Sequence, residues 1–238
     1  MSEKRFGILG GMGPESTVYF YKLVLQLTNA HIDQEHLEAI IAILPHIPDR
    51  TAAILTGGSD PTPEILDGIN LLAQAGAEFA VITCNTAHYF LHQIQELTPI
   101  PVLDMIQLVA DDIEARDITR VGLLATSGTI QTCLYDQYLT KQGVKLFKPD
   151  NFHQESVMKL IYGACGIKAG FLTENNRDEL FTCTKHLLEQ GAEAIILGCT
   201  ELALILDQHN TPDYFIDPLL LLAKASVKKA KGDIYGKT

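Results

Sequence analysis

The chain nearly repeats itself at a distance of 115 residues. FGILGG, beginning at Phe6, has a counterpart in VGLLAT, beginning at Val121, so Gly7 and Gly122 lie 115 apart. AGAEFAVITC and QGAEAIILGC pair Gly76 with Gly191 and Cys84 with Cys199, each again 115 apart. VLDMIQLVA and FIDPLLLLA pair Asp104 with Asp217 at an offset of 113. Three echoes in one order at an almost constant offset mark two copies of one unit. With 238 residues, the chain has enough length for two small cores.

Within each copy, short β-branched runs alternate with longer amphipathic stretches. The runs are RFGILG (5–10), EAIIAIL (38–44), FAVITC (79–84) and PVLDM (101–105) in the first copy. RVGLLA (120–125), VKLF (144–147), AIILGC (194–199) and YFID (214–217) follow in the second. Helical periodicity fills the gaps, as in PESTVYFYKLVLQLT and RDELFTCTKHLLEQG. This alternation predicts parallel sheets with right-handed helical crossovers, an α/β fold. Thr62-Pro63 ahead of EILDGINLLAQAG predicts an N-cap and first turn. The expected division is 1–104 plus 212–238 for the first domain and 105–211 for the second, two pseudo-symmetric parallel-sheet domains with the site in the cleft between them.

Both copies end a strand on cysteine followed by small polar residues, CNTAH in one and CTEL in the other. Packing accounts for the repeated glycines and strands, but not for that. Ligands bind outside the carboxyl ends of strands in open α/β sheets. Two facing copies therefore bring Cys84 and Cys199 to opposite walls of one cleft. Unpaired N–H groups of a following helix favour a thiolate and are expected to lower each thiol from its ordinary value of about 8.5. Thr83, Asn85, Thr86 and Thr200 stand ready to hydrogen-bond a thiolate or a substrate carboxylate. Opposed thiols suit the inversion of a stereocentre, with a base on one face of a carbon and an acid on the other. Donors aimed at the substrate carboxylate would stabilise the developing carbanion without a cofactor.

The remaining cysteines point elsewhere. Cys183 shares a helical stripe with Leu180 and Leu187 and reads as core; Cys133 falls in a helical segment, and Cys165 lies near Lys168. Five cysteines with no CxxC pair, and no secretory-type leader in MSEKRFGILGGMGPE, predict a reduced, cytoplasmic setting. No apolar run approaches the roughly 18 residues of a membrane span. A net charge of −11 argues against nucleic acid and anionic membranes as partners. It also requires local cations to hold any dianionic substrate. Arg50 and Lys168, 118 residues apart, match the repeat closely enough to flank the cleft. GGMGPES fails the dinucleotide template because Ser16 takes the place of its last glycine. His88 and His92 are spaced as in zinc proteases, but the glutamate is missing, so no metal is expected. KASVKKAK near the C-terminus reads as a solvated helix end.

Five stretches, GILGGMGPEST (7–17), PDRT (48–51), ITCNTAH (82–88), LLATSGTI (123–130) and GCTEL (198–202), together resemble the aspartate/glutamate racemase family. The likeness covers essentially the whole chain and is greatest to the cofactor-independent aspartate racemases. It implies a pseudo-twofold, two-domain fold, commonly a homodimer, with Cys84 and Cys199 as the acid–base pair and no cofactor. It further implies that Arg50 and Lys168 hold the carboxylates of aspartate, with Asp49 in the same motif as Arg50. Met12 in the first glycine loop, and Thr126, Ser127 and Thr129 in the matching loop, contact substrate or shape turns. Glu201 binds the substrate ammonium or orients the Cys199 thiol. Glutamate racemases differ in their Asp-Ser-Gly-type first loop and in GCTHY where this chain has GCTEL. Decarboxylases of the wider superfamily keep one of the two cysteines. The alternatives are a racemase of glutamate or of broad specificity, an isomerase of a maleate-like diacid, and a catalytically silent amino-acid-binding protein.

Overall fold

A computed structural model describes residues 3–206 and 211–232. Residues 1, 2 and 233–238 of the expected first domain, and 207–210 of the second, lie outside the described residues. The first unit contains β1 (Phe6–Gly10), α1 (Pro14–Thr28), β2 (Ala39–Ile43), α2 (Arg50–Thr56), α3 (Thr62–Gln74), β3 (Phe79–Ile82) and α4 (Leu91–Leu97). Helix α5 (Met105–Ala115) leads to β4 (Arg120–Leu124), α6 (Ser127–Gln131), α7 (Asp136–Leu139), β5 (Lys145–Phe147) and α8 (Asn151–Tyr162). The chain continues through α9 (Glu174–Glu189), β6 (Ala194–Leu197), β7 (Phe215–Ile216) and α10 (Pro218–Ala230).

Among the described residues all strands pair in parallel, in two sheets ordered β2-β1-β3 and β5-β4-β6-β7. Every residue of β1, β3 and β6 is buried, as expected of parallel strands covered on both faces. On one face of the first sheet, Leu9 and Ile82 pack against Ile65, Ile69 and Leu72 of α3. On the other, Phe6, Ile8 and Val81 meet Phe20 and Val24 of α1. The second sheet alternates in the same way, with Leu180 and Leu187 of α9 behind Ile195 and Leu197. Cys183 is fully buried in that layer, as the helical stripe predicts.

The two units exchange helices. Helix α5 leaves the first sheet and lays Ile106, Val109 and Ile113 on Val121, Leu123 and Ile196 of the second. Helix α10 leaves β7, which is hydrogen-bonded to β6 in the second sheet, and lays Leu219 and Leu222 against Phe6 and Phe20 of the first. Each exchange begins at an aspartate that caps its helix. Asp104 accepts from the backbone N–H groups of Ile106 and Gln107, and Asp217 from that of Leu219. A tyrosine hydroxyl bonds the second oxygen of each, Tyr138 to Asp104 at 2.7 Å and Tyr19 to Asp217 at 2.9 Å.

Two local expectations shift. PVLDM forms a single bridge, Val102 to Ala80, because Asp104 already begins the cap of α5. Thr62 is the first residue of α3 rather than its cap, which is Pro61, and its N–H is accepted by the Asp60 carboxylate at 2.9 Å.

Candidate active site

Both cysteines stand two residues beyond a fully buried strand, Cys84 after β3 and Cys199 after β6, and each is 6% exposed. They line one small cavity where the carboxyl ends of the two sheets face each other. Its space open to a water's centre is about 10 Å³, room for roughly one water. It adjoins a wider basin of about 500 Å³ that shares Met12, Arg50, Lys168 and Glu201 with it.

The glycine loop after β1 shapes the approach. Gly11 adopts φ +99°, and a Cβ there would lie 2.5 Å from the Leu44 carbonyl carbon, so the turn needs glycine. A Cβ on Gly13 would stand 3.0 Å from Glu201 Oε1, against the ion pair described below. The repeat reappears in hydrogen bonds: Thr17 Oγ1 donates to the Gly13 carbonyl at 3.0 Å, and Thr132 Oγ1 to that of Gly128 at 2.8 Å.

Arg50 opens α2, whose cap Asp49 accepts from the Ala52 N–H at 2.7 Å. The guanidinium is buried and donates to the carbonyls of Ile47, Pro48 and Met12, while its Nε has no hydrogen-bond partner. Burial works against its charge. The Cys84 sulfur and the Asp49 carboxylate beside it more than offset this and hold its pKa above the ordinary value. Lys168 reaches the cavity from the turn after α8 and forms an ion pair with Glu201 Oε1. Burial lowers its pKa, but the Glu201 charge outweighs that and raises it overall.

Glu201, itself 3% exposed, also accepts from the Cys199 thiol at 2.9 Å and from Thr200 Oγ1 at 3.1 Å, both through Oε2. Burial and the Glu201 charge push the Cys199 thiol well above its ordinary value, with Lys168 pulling the other way without reversing it. The expected lowering is therefore overturned at Cys199. The segment after it, Thr200–Ile205, is a 3₁₀ turn rather than the α-helix read from the sequence, so no long aligned helix dipole offsets burial. A 3₁₀ turn, Thr86–Phe90, likewise follows Cys84 before α4 begins.

Asn85, Thr86, Thr126 and Thr200 join Met12, Arg50 and Lys168 around the cavity. Thr86 Oγ1 bridges the units through Thr126 Oγ1 at 3.1 Å and Thr129 Oγ1 at 3.0 Å, so Thr129 lies one hydroxyl behind the wall. Ser127 does not line the cavity; its Oγ accepts from Gln154. Thr83 is fully buried behind Cys84, bonded to Thr17 Oγ1 at 3.1 Å. Asp49 borders the outer basin. His88 Nδ1 lies 2.8 Å from the Cys84 carbonyl. Burial lowers the His88 pKa despite the nearby Asp104 charge. His92 stands apart on the surface beside Glu96.

Two tyrosines complete the site, and no spacing in the sequence singled them out. Tyr162, the last residue of α8, lines the cavity and donates across the cleft to Asp49 Oδ2 at 3.1 Å. Tyr135, fully buried, donates to Asn85 Oδ1 at 2.6 Å. Tyr135 lies in the turn before α7 and Tyr162 ends α8, and neither position belongs to a repeated motif. Cys133 lies in a turn between α6 and α7 at φ +52°, 3.8 Å from Lys148 Nζ, rather than in a helix. Away from the cleft, Asp150, His153 and His186 cluster beside the start of α8. The two imidazoles stack at 3.8 Å and 14°, and one ligand atom from each of the three residues lies within 4.8 Å of the others.

Residues 9–226 match the family described as Asp/Glu/Hydantoin racemase. The chain is 28% identical over 227 residues to the broad specificity amino-acid racemase RacX of Bacillus subtilis, covering 93% of this chain and 96% of that protein. Its fold superposes on that of an aspartate racemase from Picrophilus torridus with a TM-score of 0.85 and 31% identity, over 96% of this chain and 94% of that one. A glutamate racemase from Francisella tularensis shares the fold at a TM-score of 0.67 and 18% identity, over 100% and 86% of the two chains.

Proposed function

The chain belongs to the Asp/Glu/hydantoin racemase family, and on that premise we propose that it interconverts L- and D-aspartate without a cofactor, using Cys84 and Cys199 as opposed proton carriers. The observation that carries this reading is the pair of buried cysteines lining one cavity, with a buried arginine in the same wall. In the proposed reaction the α-carbon lies between the sulfurs. One sulfur removes the α-proton as the other delivers a proton to the opposite face, and the roles reverse in the return direction. Cys199 enters as the thiol, held protonated by burial and Glu201, and Cys84 acts as the first base.

Charge developing on the substrate carboxylate is met by Asn85, whose buried Nδ2 has no partner, and by the hydroxyls of Thr86, Thr126 and Thr200. Glu201 takes the ammonium, and Arg50 the side-chain carboxylate, with Lys168 released to assist as Glu201 turns to the substrate. Met12 closes the cavity from the glycine loop. Ser127, Thr129, Thr83 and Asp49 support these groups from behind. Because the inner cavity holds roughly one water, aspartate enters through the outer basin as the units part. We place the two units at 1–104 plus 212–238 and at 105–211, as read from the sequence, with the return moved to Asp217, the cap of α10, because β7 (Phe215–Ile216) pairs with β6 of the second sheet.

Aspartate is favoured by Arg50 and by the likeness to the Picrophilus enzyme. A broader specificity is the second reading, supported by the likeness to the Bacillus racemase and by the pairing of Lys168 with Glu201, which leaves one cation unneutralised at the cavity. Proton exchange tests both. The protein is incubated with L- or D-aspartate in heavy water, without cofactor, and α-deuteration and optical rotation are followed. Exchange with loss of rotation is expected; no exchange with aspartate, glutamate or neutral amino acids would sink the racemase reading and leave a silent binding protein. A homodimer in the cytoplasm belongs to the same proposal and is tested by light scattering and fractionation. Among the described residues, no helix is long and apolar enough to cross a membrane.

A further inference from the structure

We propose that Tyr135 is a positioning residue, whose hydroxyl holds the Asn85 amide so that its NH₂ faces the space between the two cysteines. The inference rests on the racemase reading of the cleft. Tyr135 precedes α7 in the second unit and reaches Asn85, next to Cys84, in the first. Both residues are buried, Tyr135 at 0% and Asn85 at 2% exposure. The hydrogen bond runs from the phenol to Asn85 Oδ1 at 2.6 Å, and Asn85 Nδ2 is buried without a partner.

The direction of this bond follows from donor accounting. The Tyr135 O–H makes no other hydrogen bond among the described residues. Turning the amide over would set Nδ2 against the phenol oxygen as a donor and strand the phenol proton in the core. It would also turn Oδ1 toward a cavity already lined by the Glu201 carboxylate. With the phenol as donor, the group of this pair left unsatisfied is the Asn85 NH₂, at a residue lining the cavity, and a substrate carboxylate completes it. Burial keeps the phenol protonated and able to donate.

The repeat makes the pairing specific to one wall. The position 115 before Tyr135 is Phe20, and the position 115 after Asn85 is Thr200. Hydroxyl and amide are thus both present on the Cys84 side, and both replaced on the other. The Cys199 wall carries the Glu201 carboxylate instead. A donor beside one sulfur and an acceptor beside the other give an amino acid a single orientation in an otherwise pseudo-symmetric cleft.

The test compares Tyr135→Phe, Asn85→Ala and the double variant by aspartate racemisation, and follows the Asn85 side-chain amide by nitrogen-15 NMR. Each single variant should lower kcat/KM by roughly 10–100-fold, the worth of one hydrogen bond to a charged group. The double variant should lose no more than either single. Losses that multiply in the double variant would overturn the proposal, and so would an Asn85 amide signal unchanged by Tyr135→Phe. Asn85→Asp, which keeps the acceptor for Tyr135 but has no N–H and adds a charge that repels the substrate carboxylate, should lose at least as much rate as Asn85→Ala; wild-type activity in that variant would overturn the proposal even if Tyr135→Phe fails to fold. Should the wild-type protein racemise no amino acid, the racemase reading fails, and the amide signal alone decides whether Tyr135 orients Asn85.

Discussion

Replacing Glu201 with glutamine should make Cys199 more reactive while making the protein a poorer racemase. The Glu201 carboxylate accepts the Cys199 S–H at 2.9 Å and, with burial, keeps the thiol protonated. Glutamine removes the charge and leaves Lys168, previously paired with Glu201, to favour the thiolate. A hydrogen bond to a charged group is worth about 1.5–3 kcal/mol, so the thiolate fraction at fixed pH should rise roughly 10–100-fold. Intrinsic nucleophilicity falls as a thiol becomes more acidic, taking back a factor of about 3–10. The net expectation is alkylation of Cys199 by iodoacetamide faster by about 3–10-fold at neutral pH. The assay is best run with Cys84, Cys133 and Cys165 replaced by serine, reading the Cys199 peptide by mass spectrometry. Thiolate absorbance at 240 nm, followed against pH, separates a change in acidity from a change in access. An unchanged titration midpoint, or slower alkylation, would refute the assignment of Glu201 as the group that holds the proton on Cys199.

Three further outcomes follow from the same geometry. Alanine at either Cys84 or Cys199 should reduce racemisation by at least about 10²–10⁴-fold, the range for one general acid or base, and near wild-type turnover in either variant would rule out the opposed pair. Arg50→Ala should weaken aspartate by roughly 10–100-fold while sparing small neutral amino acids, checked by kcat/KM on both; equal losses would mark the arginine as structural. Because the folded pKa of Cys199 is raised, the native state holds its proton more tightly than the unfolded chain does. Stability should be full below the unfolded thiol value of about 8.5 and decline as pH rises from there towards the folded value. Urea midpoints across that range check this, and Cys199→Ser should flatten the decline.

Much of the architecture was legible because it is written in short-range pattern. Apolar runs such as FGILG and FAVI become buried parallel strands wherever helices cover both faces, and both do so here. The 115-residue echo carried the two-unit plan and the pairing of Cys84 with Cys199, since duplicated units place equivalent residues at equivalent strand ends. Local hydrogen bonding was harder to read. The segments after the cysteines have helical periodicity yet begin as 3₁₀ turns, and α3 is capped at Pro61, with Thr62 inside the helix.

The sequence by itself determined which residues end the equivalent strands of the two copies, Cys84 and Cys199 among them. Periodicity, composition and repetition are properties of the chain read in order. The tertiary structure alone decided what surrounds each of these groups. It buried Cys199 against Glu201, reversing the expected direction of its pKa, and paired Lys168 with that same carboxylate. It also brought Tyr135 to Asn85, fifty positions away in the chain, and Tyr162 to Asp49, 113 away. Those contacts arise where helices of one unit pack against loops of the other, and desolvation there sets the strength of every charge. No local pattern encodes such a meeting, because neither partner's own segment requires it to fold.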